Sequence, residues 1–258
     1  MFKKLLDKQS PLLETTGNIW YFLTGFFKNT FTRGFEWEEF VKQCYFIGYK
    51  SLGIVIVTGF VLGFVLTLQT QPTLKDFGAE NYVPSMVSIS VVREIGPVIT
   101  SLICAGKIAS GIGAELGSMR VTEQIDAMEV SGANATQYLV VTRVLACTLM
   151  IPLLAFFADT MALVGGFVGM NISGSMSMTL YFNKAISSLV FSDLVPATIK
   201  TVFFGFVIGF VGCYNGYNSK RGTESVGHAA NKAVVAASIT IILIDAIAVQ
   251  LTNAFVYN

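Results

Sequence analysis

Apolar positions along the chain fall into five long runs separated by short polar stretches, with two shorter amphipathic stretches ahead of the first run. The runs cover residues 51–70, 84–106, 144–168, 194–214 and 234–256. Each matches the roughly 20 mostly apolar residues that carry a helix across a hydrocarbon core. The third run contains Pro152 and Asp159, which a spanning helix tolerates when its neighbours satisfy the loosened backbone. Upstream, Ile19, Trp20, Phe22, Leu23, Phe26 and Phe27 recur at helical spacing, with Lys28 and Arg33 nearby. That pattern predicts an amphipathic helix lying in the membrane interface. A second stripe follows at Trp37, Phe40, Val41, Cys44 and Tyr45, but Glu36, Glu38 and Glu39 interrupt it too closely for a sixth span. The pattern therefore predicts an all-α integral membrane protein. Residues 1–50 form an N-terminal interfacial region, and residues 51–258 form five transmembrane helices.

Composition agrees: 53% of residues are hydrophobic, 13% are charged and the mean hydropathy is +0.64, well away from the soluble norm. A net charge of +1 argues against nucleic acid as a partner. The placement of the charges says more than their sum. Thirteen of the 17 Lys and Arg residues lie on the N-terminal side of the spans. Lys75 and Lys184 lie on the other side, and Arg93 and Lys200 lie inside spans. Positive charge collects on the cytoplasmic side, so the N-terminus is expected inside and the C-terminus outside. The opening MFKKLLDKQS has no apolar run or cleavage site, and a removable signal peptide is not expected. The four cysteines form no C-x-x-C pair and read as small apolar fillers.

Four charges sit at membrane depth. Arg93 and Glu94 lie about ten residues, or roughly 15 Å, into the second span. Lys200 enters the fourth span from the same outer side, and Asp245 is the midpoint of the fifth. Their charges sum to zero. Such residues must pair or line a wet cavity, so they either brace the helices or border a binding pocket, and the two roles are compatible. A proton relay is a further, weaker reading. Gly59-x-x-x-Gly63 and Gly205-x-x-x-Gly209 predict close helix packing, and Pro97 should loosen the helix beside Glu94.

Between the second and third runs, residues 115–129 read ELGSMRVTEQIDAME. On a short helix, Val121, Ile125 and Met128 form an apolar line, while Glu123, Asp126 and Glu129 form an acidic flank. A helix of this kind can dock into a groove on a partner, or it can be a solvated connection. No G-x-x-x-x-G-K-[ST] occurs, and a single histidine (His228) leaves neither a metal cluster nor a catalytic triad. The chain is not expected to hydrolyse ATP.

Several motifs carry a resemblance to a known family. They are Val92-Arg93-Glu94-Ile95-Gly96-Pro97-Val98, Ala105-Gly106-Lys107, Glu115-Leu116-Gly117, Met119-Arg120, Thr122-Glu123-Gln124-Ile125-Asp126-Ala127-Met128 and Asn215-Gly216-Tyr217, together with Lys200 and Asp245. From about residue 50 to the C-terminus the chain resembles the MlaE family of permeases. These belong to bacterial ABC transporters that move lipid together with MCE proteins. Met128 stands where leucine is common.

The resemblance implies a homodimer in the bacterial inner membrane, with two ABC ATPase subunits beneath it and a hexameric MCE-domain protein on the periplasmic side. The partner ATPase would bind ATP and Mg, and this chain would carry no cofactor. Residues 115–129 would be the coupling helix, with Glu115, Met119, Arg120, Glu123, Ile125, Asp126 and Met128 serving the contact. Leu66, Thr73, Leu74, Phe77 and Ile95 would line a phospholipid pocket, and Arg93, Glu94, Lys200 and Asp245 would brace it or meet the headgroup. The implied activity is ATP-driven movement of phospholipid that maintains outer-membrane lipid asymmetry. An ion-coupled secondary transporter or channel, or a non-transporting scaffold for the MCE ring, are the alternatives.

Overall fold

The computed structural model describes residues 2–31, 34–173, 176–220 and 222–255, and all regular structure among them is helical. Arg33 and the end of the expected fifth span at residue 256 lie outside the described residues. Eight helices follow in chain order: α1 (Phe2–Thr30), α2 (Trp37–Asp76), α3 (Glu80–Val121), α4 (Gln124–Val130), α5 (Thr136–Ile172), α6 (Met178–Ser187), α7 (Phe191–Tyr217) and α8 (Thr223–Ala254). Helices α2, α3, α5, α7 and α8 are long and apolar enough to cross a membrane. They are the five expected spans, but longer. The 40 residues of α2 reach about 60 Å, twice a hydrocarbon core, so its ends project beyond the bilayer.

The second amphipathic stripe is not a separate element. Helix α2 begins at Trp37 and continues through a π turn at Tyr45–Tyr49, so the division at residue 50 falls inside it. The acidic interruption fails to break the helix because Glu39 is buried with partners. Its carboxylate accepts hydrogen bonds from Gln43 at 2.7 Å and from the Tyr138 hydroxyl at 3.2 Å. The first stripe behaves differently from a helix facing lipid alone. Phe22 and Phe26 turn inward onto α7, with ring centroids 5.5 Å from Phe210 and 5.7 Å from Phe206. Trp20 and Phe27 stay exposed on the opposite side.

Small residues hold the bundle together. Along α2 the buried seam is Ser51, Val55, Gly59, Gly63, Thr67 and Gln71, recurring every four residues. A Cβ at Gly59 or Gly63 would strike the backbone of Ala158 or Ala162 on α5, and one at Gly205 would strike Cys147. These are the close approaches the G-x-x-x-G spacing predicts. Gly59→Ala should therefore cost about 1–3 kcal/mol, as overpacking does, and lower the melting temperature in detergent. An unchanged melting temperature would contradict the backbone contact. Helix α8 buries Ala229, Ala233, Ala237 and Ile241, while Val235, Ile239, Ile242, Ile247 and Leu251 face outward.

Candidate functional site

The charged centre begins with a backbone defect in α3. Pro97 has no N–H, so the Arg93 carbonyl lacks its ordinary helical donor. The Gly96 N–H instead reaches the Val91 carbonyl five residues back, and Val91–Ile95 forms a π turn. Such turns widen a helix and often occur at functional sites. This one presents Arg93 and Glu94 toward α7 and α8. The Arg93 guanidinium donates through Nε (2.7 Å) and Nη2 (2.6 Å) to Asp193 Oδ1. The Asp193 side chain is fully buried, and its other oxygen accepts the Val190 N–H at 3.2 Å, at the start of α7. Lys200, 4% exposed, places Nζ 2.5 Å from Glu94 Oε2 and 3.1 Å from Asp245 Oδ1. These pairs join α3, α7 and α8 around a cavity of about 210 Å³, bordered also by Val249 and Thr252.

The four expected charges do meet, but not as a self-neutral set. Arg93 pairs with Asp193, a fifth member, which leaves three carboxylates facing two cations. Asp193 lies one residue before the expected fourth span and was not among the charges placed at membrane depth. Its position in the first turn of α7 was the available signal, because carboxylates there bond free N–H groups and complement the helix dipole. Asp159 is a further buried acid. Its carboxyl occupies the space a side chain at Gly96 would fill, and its Oδ1 has no hydrogen-bond partner among the described residues.

Of the five residues of the implied lipid pocket, Leu66, Thr73 and Leu74 lie in the last three turns of α2, Phe77 directly follows it, and Ile95 closes the π turn of α3. Leu66 and Leu74 are half-buried against a cluster containing Val83, Val87, Val91 and Tyr181. Thr73 is exposed, Phe77 is 80% exposed and Ile95 is half-buried.

Residues 115–129 do not form one helix. Up to Val121 they are the tail of α3, and the chain then breaks at Glu123, whose φ of 58° is left-handed. Only α4 is a separate short helix. The break also redirects the apolar line. Ile125 is completely buried, and Met119 and Met128 pack against the same core. Ile125 is thus covered by its own bundle, whereas Val121 and Met128 on the same apolar line are only half-buried. Polar contacts complete the seating. Arg120 pairs with Asp126 across the break, and the Tyr217 hydroxyl on α7 donates to Glu129 at 2.6 Å. What α4 leaves exposed is Glu123, Gln124, Ala127, Glu129 and Val130.

Sequence reasoning also placed Arg143 among the loop charges. Its side chain is instead 2% exposed. It donates to the Leu139 carbonyl and to Glu115, each at 2.9 Å, tying the end of α3 to α5. Its place beside a long apolar run gave no hint of this, because its partner is 28 residues away.

Comparison with known proteins places this geometry in context. A family model for the permease MlaE matches residues 40–251. A probable ABC transporter permease of Rickettsia prowazekii is 37% identical over 203 residues, which is 79% of this chain and 78% of that protein. The intermembrane phospholipid transport system permease protein MlaE of Haemophilus influenzae is 32% identical over 206 residues, or 80% of this chain and 79% of its own. A probable ABC transporter permease of Pyropia yezoensis is 31% identical over 208 residues, 81% and 79% of the two chains.

Proposed function

Because this chain belongs to the MlaE permease family, we propose that it is the membrane permease subunit of an ABC transporter that moves phospholipid between the bacterial inner membrane and a periplasmic MCE-domain protein, maintaining outer-membrane lipid asymmetry. The observation that carries this reading is a family match reaching all five spanning helices of a chain with no P-loop of its own. Two copies would face each other, with the N-termini cytoplasmic and the C-termini periplasmic. The concentration of Lys and Arg at the α4 end of the bundle supports that orientation.

Two ATPase subunits, binding ATP and Mg, would engage the exposed side of α4 with Glu123 and its neighbours. A push there has two rigid routes into the bundle. One runs through the Glu115–Arg143 pair to α5, and the other through Glu129 and Tyr217 to α7. Leu66, Thr73, Leu74, Phe77 and Ile95 would line an apolar pocket closed by the second copy, with the charged centre bracing its wall or meeting the headgroup. Movement between states needs a ligand that prefers one of them. A collapsing apolar pocket provides that preference, since each CH₂ removed from burial costs about 0.8 kcal/mol. Affinity purification of the tagged chain from native membranes tests the assembly. An ATPase subunit, an MCE-domain protein and phospholipid should copurify. Recovery of the chain alone, with transport driven by an ion gradient, would favour a secondary transporter.

A further inference from the structure

Asp159 is the sole charged side chain in the apolar stretch of α5 between Arg143 and Ile172. Neither of its oxygens has a hydrogen-bond or ion-pair partner among the described residues. No cation of the protein stands ready to join it. The neighbouring stretch of α2, from Ser51 to Leu74, contains no charged residue. On α3 the nearest charges, Arg93 and Glu94, are engaged with Asp193 and Lys200 of α7.

The carboxyl borders a cavity of about 10 Å³ between α2, α3 and α5, lined also by Thr58, Val91, Gly96 and Thr100. That is room for about one water molecule. Thr100 is 4% exposed, and its hydroxyl likewise has no partner among the described residues. Thr58 donates its proton to the Ile54 carbonyl at 2.8 Å, which leaves its oxygen able to accept. The Val91 carbonyl oxygen and Asp159 Oδ1 both adjoin the space a Cβ at Gly96 would fill, so glycine at this position lets them converge. That carbonyl belongs to the π turn of α3, where it accepts the Gly96 N–H and keeps a second lone pair.

These groups select their ligand by charge and size. An acid without a partner at membrane depth is costly unless a positive charge joins it. The other polar groups at the cavity are neutral oxygens, a donor set that suits a hard cation. One carboxylate balances one charge, which points to a monovalent ion. No group of three His, Cys, Asp or Glu side chains that could hold a metal such as zinc occurs among the described residues. A space of one-water size suits sodium better than the larger potassium. Backbone carbonyls at irregular turns of membrane helices are known sodium ligands.

We propose that this cavity binds a sodium ion, held by the Asp159 carboxylate, the Thr58 and Thr100 hydroxyls and the Val91 carbonyl. The ion ties α2 and α5 to the π turn of α3. It neutralises a buried charge and requires no ion gradient. The site rests on the chain spanning a membrane and not on the transport reading.

The test is sodium binding by the purified full chain in detergent and choline chloride, read with radioactive sodium and by melting temperature. Sodium should bind at roughly one ion per chain. It should raise the melting temperature by about 2–4 °C, the effect of a ligand a few-fold above its dissociation constant on a chain of this size. Asp159→Asn should abolish both effects. Thr100→Val should weaken binding about tenfold, and Thr100→Ser, which keeps the hydroxyl, should retain it. The Thr100 pair decides the matter if Asp159→Asn does not fold. Absence of saturable sodium binding to the wild type would overturn the proposal, a proton then serving in place of the ion. Equal stabilisation by potassium chloride at the same ionic strength would overturn it too. So would binding that survives both Asp159→Asn and Thr100→Val, which would move the ion to the charged centre. Neither ATP nor an ATPase takes part, so failure here is separate from any failure of the transport reading.

Discussion

Lys200→Met is expected to destabilise the folded chain by about 3 kcal/mol, seen as a large fall in melting temperature in detergent. The ammonium is 4% exposed and neutralises both Glu94 and Asp245. Removing one partner of a buried ion pair leaves an uncompensated charge, at a typical cost of about 3–5 kcal/mol. The lower end applies because Glu94 keeps 41% of its side-chain surface and can be solvated. Adding Asp245→Asn should recover part of the loss, because the more buried of the two orphaned carboxylates, 20% exposed, is then neutral. The two changes should be strongly non-additive, as residues sharing a network are. A melting temperature equal to wild type in the single variant would contradict the network.

The second large effect concerns work done through α4. Asp126→Lys should cut ATP-driven lipid movement by tenfold or more in the assembled transporter while ATP hydrolysis continues. The Arg120–Asp126 pair is about one-third exposed on each side, and exposed pairs contribute at most about 1 kcal/mol. A small change in stability beside a large loss of transport would therefore separate coupling from folding. Glu123→Lys should uncouple likewise. Glu123→Gly is the informative companion, since glycine tolerates the left-handed φ of 58° at no steric cost and removes the side chain without introducing an opposite charge. Transport at the wild-type level in the Asp126 and Glu123 lysine variants would remove α4 from the mechanism.

How much was legible in the sequence depended on the range of the physics involved. The five spans follow from local hydropathy, and the G-x-x-x-G contacts follow from local spacing. Helix lengths did not, because polar residues at the ends, Glu39 above all, are satisfied by partners distant in sequence, such as Tyr138. The membrane charges could be singled out one by one, since each is costly in lipid. Their pairing could not, because Arg93 and Asp193 are 100 residues apart. In residues 115–129 the apolar line was legible, but the burial of Ile125 was not. Periodicity shows that Ile125 shares a face with Met128, not which surface that face meets. The left-handed turn at Glu123, where no glycine marks it, decided the matter.

The measurement that bears most directly on the central claim is phospholipid transfer from proteoliposomes containing the chain with its ATPase subunits to an MCE-domain acceptor. Transfer should require ATP hydrolysis, disappear with Asp126→Lys, and be absent when the permease is reconstituted alone with an ion gradient. Gradient-driven transfer by the permease alone, or ATP-dependent transfer unaffected by Asp126→Lys, would contradict a permease worked from outside through α4.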